Sequence, residues 1–597
     1  MSEAPNISAR LSALRREMAE SRLDAFIIPS QDPHQSEYVA EHWKARAWLS
    51  GFTGSAGVAV VTADHAGLWT DSRYFIQAEQ ELKGGPFVLH PLKVPHAPEH
   101  IGWLLETLPP GSTVGCDGNI FPVAQAGQLQ RKLENKGMRF AYKEDLIGRI
   151  WKGRPPLPRD DAFELDEAQA GQSRAEKLAR IREQMQGAEY YLATTLDDIA
   201  WALNIRGSDV EYNPVCISYL LIGHKGAHWF VQKEKVPAAL QKRLQEDGLQ
   251  IHPYEEIEEF LKELDQDSPV LYDPGSTSIN LYEALEEEQW KSSKNLIRPM
   301  KAIKNETEVK NIRQAMRKDG VALLQLYRWL EAELQNRTVS EYELAQQLAA
   351  FRKAQGNYFG ESFAAIVGYA ANGAIVHYKP EPDTCADIRP EGILLLDSGG
   401  QYLEGTTDIT RTTALGKPTE EQRHNYTLVL KGNIALSRAV FPEGTAGVQL
   451  DILARMHLWR EGLNYGHGTG HGVGFFLNVH EPPQGFTPNP RGERGETPFQ
   501  PGMLTSNEPG YYKTGEYGIR IENLELCVEQ DPNGNGRFFA FEPLTLFPID
   551  LRLAELEILT PEEKEWLNDY HRMVLNELTP LLNDEEHDWL AERCRAV

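Results

Sequence analysis

Cysteine is scarce in this chain. Its five cysteines, Cys116, Cys216, Cys385, Cys527 and Cys594, are odd in number, widely spaced and form no CxxC pair. That pattern argues against a disulfide framework and reads as free thiols of a reducing compartment. Basic charge is short too: 61 Lys and Arg face 87 Asp and Glu, a net charge of −26. Such acidity argues against nucleic acid or an anionic membrane as a partner and favours solubility. Long apolar runs are missing. No window approaches the ~18 consecutive apolar residues of a membrane helix, and the polar opening Met1-Ser2-Glu3-Ala4-Pro5-Asn6 is followed by no apolar h-region. A cytoplasmic protein is therefore expected. The Gly-rich Thr53-Gly54-Ser55-Ala56-Gly57 lacks both a GxGxxG pattern and a Walker lysine, so it reads as a tight turn rather than a phosphate cradle.

Apolar residues are present in ordinary proportion, 41% hydrophobic and 9% aromatic, which excludes wholesale disorder. Length alone would suggest about four domains; the order of elements suggests three. A helical pattern through Leu11, Leu14 and Met18 leads into the short strand Ala25 to Pro29, the opening of an α/β domain. Arg154-Pro155-Pro156-Leu157-Pro158 is a proline-rich linker. Beyond it the same order returns: helix from Leu178, strand from Ala188, and a Trp201 segment parallel to that of Trp48. This reads as an internal duplication. A second boundary falls near Met300 to Glu306, before a long helix carrying Val309, Ile312 and Met316; further on, Asn372-Gly373 reads as a turn followed by a strand through His377. The expected division is 1–155, 156–300 and 301–597, with a helical tail over about 550–597 that includes an amphipathic helix from Pro561 to Leu578.

The chemistry concentrates between Leu394 and Glu522. Asp397 ends the apolar run Ile393 to Leu396, and Asp408 sits in the β-branched run Thr406 to Thr410, so both read as strand positions. If the hairpin is symmetric about Gln401 to Glu404, the two carboxylates face each other about 5 Å apart. Carboxylates that close repel unless a cation lies between them. In Gly466-His467-Gly468-Thr469-Gly470-His471-Gly472-Val473-Gly474 every second residue is glycine, so an extended backbone presents His467, Thr469, His471 and Val473 on one face. A helix there would cost roughly 4–5 kcal/mol relative to alanine, so a zincin arrangement is excluded. Glu508 precedes Pro509 and is held extended. Glu522 follows Ile519-Arg520-Ile521 with period 2 and is expected to be buried with Leu524 and Leu526. Four carboxylates balance two divalent cations in charge. Five ligands that are mostly carboxylate suit two hard or borderline ions about 3.5–4 Å apart, sharing bridging carboxylates and a hydroxide. Manganese is the first choice.

The ordered set Asp397, Asp408, His471, Glu508 and Glu522, with His-Gly-Thr-Gly-His-Gly-Val-Gly and Val479-His480-Glu481, resembles the pita-bread metallopeptidases. The length, the segment Pro29 to Glu37, Trp69-Thr70-Asp71-Ser72-Arg73-Tyr74 and Phe541-Glu542-Pro543-Leu544-Thr545 narrow the resemblance to the cytosolic-type, three-domain Xaa-Pro aminopeptidases (aminopeptidase P). It covers nearly the whole chain. One departure is Pro482, where the family often has glycine after His-Glu. The resemblance implies an α/β and α+β protein, with two duplicated creatinase-like α/β domains before a pita-bread catalytic domain. It also implies a homodimer that acts on peptides beginning Xaa-Pro.

Within that resemblance, His377, His467 and His480 match positions that bind substrate and handle protons around the metal pair, and Glu508 matches the general base as well as a ligand. Arg520 is expected to pair with a bridging carboxylate. Arg73 is either a substrate contact or half of a surface ion pair. The implied reaction is hydrolysis of the bond before proline by a hydroxide bridging the metals, with one metal anchoring the free α-amino group. Three rivals stand beside it. They are a prolidase restricted to Xaa-Pro dipeptides, a non-catalytic peptide-binding pita-bread protein, and a metal-free creatinase-like hydrolase. The last two lack metal ligands that this chain retains.

Overall fold

In the first strand, Ala25–Pro29, every residue is buried, and alternation decides where each goes. Phe26 and Ile28 pack with Leu14, Val61 and Leu68, while Ala25 and Ile27 pack with Val60, Leu104, Val114 and Leu129. A strand apolar on both faces belongs inside a sheet covered on both sides. The structure, a computed structural model, describes residues 6–94, 97–530, 534 and 536–597. The polar opening Met1 to Pro5 lies outside the described residues.

The sheet around that strand has six strands in the order Val88–Pro91, Ala66–Thr70, Val58–Thr62, Ala25–Pro29, Thr113–Cys116, Arg139–Ala141. A second six-stranded sheet runs Leu249–His252, Ala227–Val231, Ser218–Gly223, Tyr190–Ala193, Val270–Tyr272, Trp290–Ser292. At every neighbouring pair the two sheets agree in sense, parallel or antiparallel. The duplication heard in the sequence is thus a repeat of topology. Both sheets belong to one compact unit, Met1–Leu165 with Gln172–Ile297.

The second unit comprises Asp166–Gly171 and Arg298–Val597. Its short helix Glu167–Ala170 is held by Asn305 and Asn311, whose side-chain amides donate to the carbonyls of Ala168, Gln169 and Ala170. The long helix Glu306–Glu333 starts at a capping box between Asn305 and Glu308, which satisfies two otherwise orphaned N–H groups. Further helices, Glu341–Ala354, Glu420–Ser437, Gly447–Trp459, Pro561–Leu578 and Asp584–Arg593, accompany small antiparallel sheets. The helix Pro561–Leu578 buries Leu567, Tyr570, Val574 and Leu578. Its Tyr570 hydroxyl donates to the carbonyl of Phe547 at 2.9 Å and accepts from Arg411 at 2.7 Å, which ties the tail to its own unit. No helix among the described residues is long and apolar enough to cross a membrane.

Two local expectations need correction. The hairpin carrying Asp397 and Asp408 is not symmetric about Gln401 to Glu404. Tyr402 pairs with Gly405, so the turn centres on Leu403-Glu404 and Asp397 faces Thr410. Asp408 then lies just before the strand Ile409–Ala414 and diagonal to Asp397. Nor does a strand follow the Asn372-Gly373 turn. Ala370–Ala374 is a short 3-10 helix, and the chain stays in turns through His377. The reason is a buried carboxylate: Glu341 accepts from Tyr369 N, Asn372 Nδ2, Tyr378 OH and Ala386 N, folding the segment around itself.

Candidate metal centre

Antiparallel neighbours build the site. The strand Ile393–Ser398 presents Asp397, and its partner Ile409–Ala414 follows directly on Asp408. The glycine-alternating segment lies between two others. On one side Gly470 and Gly472 exchange backbone hydrogen bonds with Glu481, Gln484 and Phe486. On the other, Ser506 N donates to His471 O and Glu508 N to Thr469 O at 2.8 Å each. The glycines are needed for that closeness. A Cβ on Gly470 would stand 1.8 Å from Ser506 O, and one on Gly472 would stand 2.2 Å from Glu481 O. Glu522 is not within one continuous strand as its period suggested. It falls between the strands Tyr517–Arg520 and Asn523–Gln530, which belong to different sheets.

Asp408, His471 and Glu522 each offer a ligand atom, and these atoms lie within 4.8 Å of one another. His471 Nε2 is 3.5 Å from Asp408 Oδ2 and 3.6 Å from Glu508 Oε1. Its Nδ1 is 3.0 Å from the carbonyl of Gly472. A carbonyl only accepts, so the proton sits on Nδ1 and the lone pair of Nε2 faces the carboxylates. Glu522 is 1% exposed, and its Oε2 accepts from Thr410 Oγ1 at 2.8 Å. Asp397 takes the guanidinium of Arg520 on Oδ2, while its buried Oδ1 has no hydrogen-bond partner.

The electrostatics ask for cations. Burial, then the neighbouring charges of Glu522, Asp397 and Glu508, hold the Asp408 carboxyl well above its ordinary range. Burial, then the charges of Asp397 and Glu508, raise Glu522 likewise. Burial pushes Glu508 up to about 7, against the opposing pull of Arg520. Carboxylates crowded this way share protons, or give them up to a metal. With one orphaned buried oxygen and an imidazole lone pair among them, the residues fit two divalent cations.

The histidines sit around this cluster. His480 meets His471 edge to face, with ring centroids 4.2 Å apart. His467 is bonded at both nitrogens, Nδ1 to Gly468 O at 2.7 Å and Nε2 to Tyr512 OH at 2.8 Å. His377 follows Val376, whose carbonyl lies 3.4 Å from Arg520 Nη2. Arg73 binds both oxygens of Asp71 within the first unit, in a pair that is largely buried rather than on the surface.

Tyr512 was missed from the sequence. Its hydroxyl joins His467 to Arg520, whose Nη1 donates to it at 2.7 Å. Hairpin parity could have found it, because Gly510 pairs with Arg520 and Tyr512 stands two residues along on the same face. Thr410 bonds both Glu522 and Arg520, although in the sequence it stands only as one member of a β-branched run.

Several known proteins share this framework. Residues 310–529 match Metallopeptidase family M24, and 537–597 match the C-terminal region of peptidase M24. Residues 10–147 and 153–308 each match a Creatinase/Prolidase N-terminal domain. The probable Xaa-Pro aminopeptidase P of Laccaria bicolor is 41% identical over 605 residues, which cover 99% of this chain and 93% of that protein. Xaa-Pro aminopeptidase 1 of Dictyostelium discoideum is 38% identical, with 99% and 97% covered. The crystal structure of X-prolyl aminopeptidase from Caenorhabditis elegans, described as a cytosolic enzyme with a di-nuclear active site, superposes with a TM-score of 0.95. It is 34% identical, with 100% of both chains covered.

Proposed function

Because the chain belongs to the Xaa-Pro aminopeptidases of metallopeptidase family M24, with creatinase-type N-terminal domains and a pita-bread domain, we propose that it releases the first residue from peptides whose second residue is proline. The observation that carries the reading is the convergence of Asp408, His471 and Glu522, with Glu508 beside them, in a chain alike over its whole length to enzymes of that name. The proposed ligands are Asp397, Asp408, His471, Glu508 and Glu522. The proposed division of the chain is 1–155, 156–300 and 301–597.

Held by these residues, two divalent ions, manganese in our proposal, would supply positive charge to four carboxylates and lower the pKa of a bound water at neutral pH. The residues do the rest. Glu508 accepts the proton of the attacking water on a carboxylate oxygen. His377 and His467 donate to the charge that develops on the carbonyl oxygen and to the departing nitrogen, and His480 lines the substrate side. Proline nitrogen carries no hydrogen in the peptide and leaves only once protonated, so a donor is needed on that side. His467 Nδ1 faces the carbonyl of Gly468 and so carries a proton; donation from Nε2 therefore takes the imidazolium, with substrate in the place of Tyr512. Arg520 holds Asp397 in orientation. We further propose a cytoplasmic homodimer; the Caenorhabditis elegans relative is described as cytosolic, and all five cysteines are free.

The test is hydrolysis of an Xaa-Pro-Xaa tripeptide beside an Xaa-Pro dipeptide, with chelator and with manganese returned. Turnover of the tripeptide that disappears with chelation and returns with manganese supports the reading. Turnover of the dipeptide alone would make the enzyme a prolidase.

A further inference from the structure

A pair of buried charges lies against the glycine-alternating segment and has no part in the chemistry above. Asp451 and Arg455 stand one turn apart on the helix Gly447–Trp459, each 1% exposed. Arg455 Nε donates to Asp451 Oδ2 at 2.6 Å. Nη2 also reaches Asp451 Oδ1 at 3.3 Å, and both terminal nitrogens bond beyond the helix. Nη1 reaches the carbonyl of Tyr465 at 2.9 Å and Nη2 the carbonyl of His467 at 2.7 Å. The second oxygen of Asp451 accepts from Thr469 Oγ1 at 2.6 Å, and that hydroxyl is also 2.6 Å from the hydroxyl of Tyr465. The Tyr465 ring meets both Arg455, whose guanidinium is 3.9 Å from the ring centroid, and the His467 ring, with centroids 4.9 Å apart.

Burying two ions costs desolvation that is offset only where geometry and the remaining hydrogen bonds are complete, and an apolar pair would hold the helix as well or better. What an apolar pair cannot do is bind backbone. Around His467 the chain is half glycine and has no regular secondary structure, so little of its own side-chain packing opposes its conformational freedom. Bonds to its carbonyls and to Thr469 supply that restraint, at the residue whose ring must be aimed.

We propose that Asp451 and Arg455, acting with Thr469, are positioning residues that set the backbone and ring of His467 for the reaction. The inference rests on the aminopeptidase reading.

Thr469→Val removes one hydroxyl and keeps the shape. It should lower kcat about 10- to 100-fold, as loss of such a supporting contact typically does, with KM and two metals per chain unchanged. Arg455→Lys keeps the charge without the fork that spans two carbonyls and should behave alike. In a His467→Ala background neither substitution should change kcat beyond about twofold, since effects passing through one side chain do not add. Equal losses in both backgrounds would overturn the proposal, as would loss of metal in either variant or an unchanged kcat in Thr469→Val. Histidine ring nitrogen NMR needs no turnover. The Nδ1-protonated signal of His467, assigned against His467→Ala, should be lost or averaged in Thr469→Val, and an unaltered signal would also overturn the proposal. A wild-type enzyme inert on Xaa-Pro-Xaa peptides would instead overturn the aminopeptidase reading and leave this measurement standing.

Discussion

Arg520 grips one oxygen of Asp397 at 2.5 Å and leaves the other oxygen buried without a hydrogen-bond partner. The pairing selects which end of the carboxylate can meet a cation. Arg520→Met should therefore weaken metal retention about 10- to 100-fold, the usual consequence of losing an orienting partner. Competition with a chelator of known affinity measures it; unchanged retention would show that Asp397 orients itself.

Metal-free protein should lose stability as pH rises. Glu508 is raised from its ordinary 4.5 to about 7 in the folded chain, and Asp408 and Glu522 are raised as well. Between those two values the native state holds protons that the unfolded chain has released, so stability present at lower pH is lost as pH climbs through the folded pKa. Calorimetry of the chelated protein should show Tm falling from about pH 4.5 to about pH 7, with metal-loaded protein lacking the fall. A rising Tm across that window in chelated protein would reverse the sign.

Asp408→Asn removes one of the crowded charges while keeping shape. Bound metal should drop below two per chain by elemental analysis, because the remaining carboxylates no longer balance two divalent ions. A stoichiometry of two would show that Asp408 does not bridge.

Four residues apart, His471 and His467 should answer differently to alanine. His471→Ala should lose metal and activity together. His467→Ala should keep both metals and lose roughly two to three powers of ten in kcat, the typical effect of removing one donor to developing charge. Metal analysis beside steady-state kinetics separates them, and the opposite pattern would exchange their roles.

Lys304 Nζ lies 2.5 Å from Glu481 Oε1, both side chains buried, with Lys301 at 3.7 Å from the other oxygen. Glu481 also anchors the loop that carries His480, through its backbone bond to Gly472. Lys304→Met breaks a buried pair and should cost about 3 kcal/mol of stability, measured by denaturant unfolding. A cost near zero would mean that Lys301 alone satisfies the carboxylate.

The linear order of residues was enough for the architecture and for naming Asp408, His471 and Glu522, which the fold brings together, for physical reasons that can be stated. A carboxylate in a β-branched or apolar run, as at Asp397 and Asp408, is costly unless something pairs with it. Alternating glycine forbids a helix. A repeated order of helix, strand and tryptophan segment can be heard without coordinates, and the two matching sheets give it form. The helix Pro561–Leu578 was read to its last residue, because capping and period are local properties.

Relations between distant segments were decided only in three dimensions. The turn at Leu403-Glu404 shifted the Asp397 register, since a hairpin's centre depends on which residues the loop can close upon. The strand expected after Asn372 gave way to a turn wrapped around Glu341, a partner about thirty residues away. Thr410 and Tyr512 carry no sequence mark of their own; they matter because folding sets their hydroxyls beside Glu522 and between His467 and Arg520. Sequence determines which groups must be satisfied, and tertiary structure decides by whom, because a hydrogen bond is fixed by distance and angle, and neither is written along the chain.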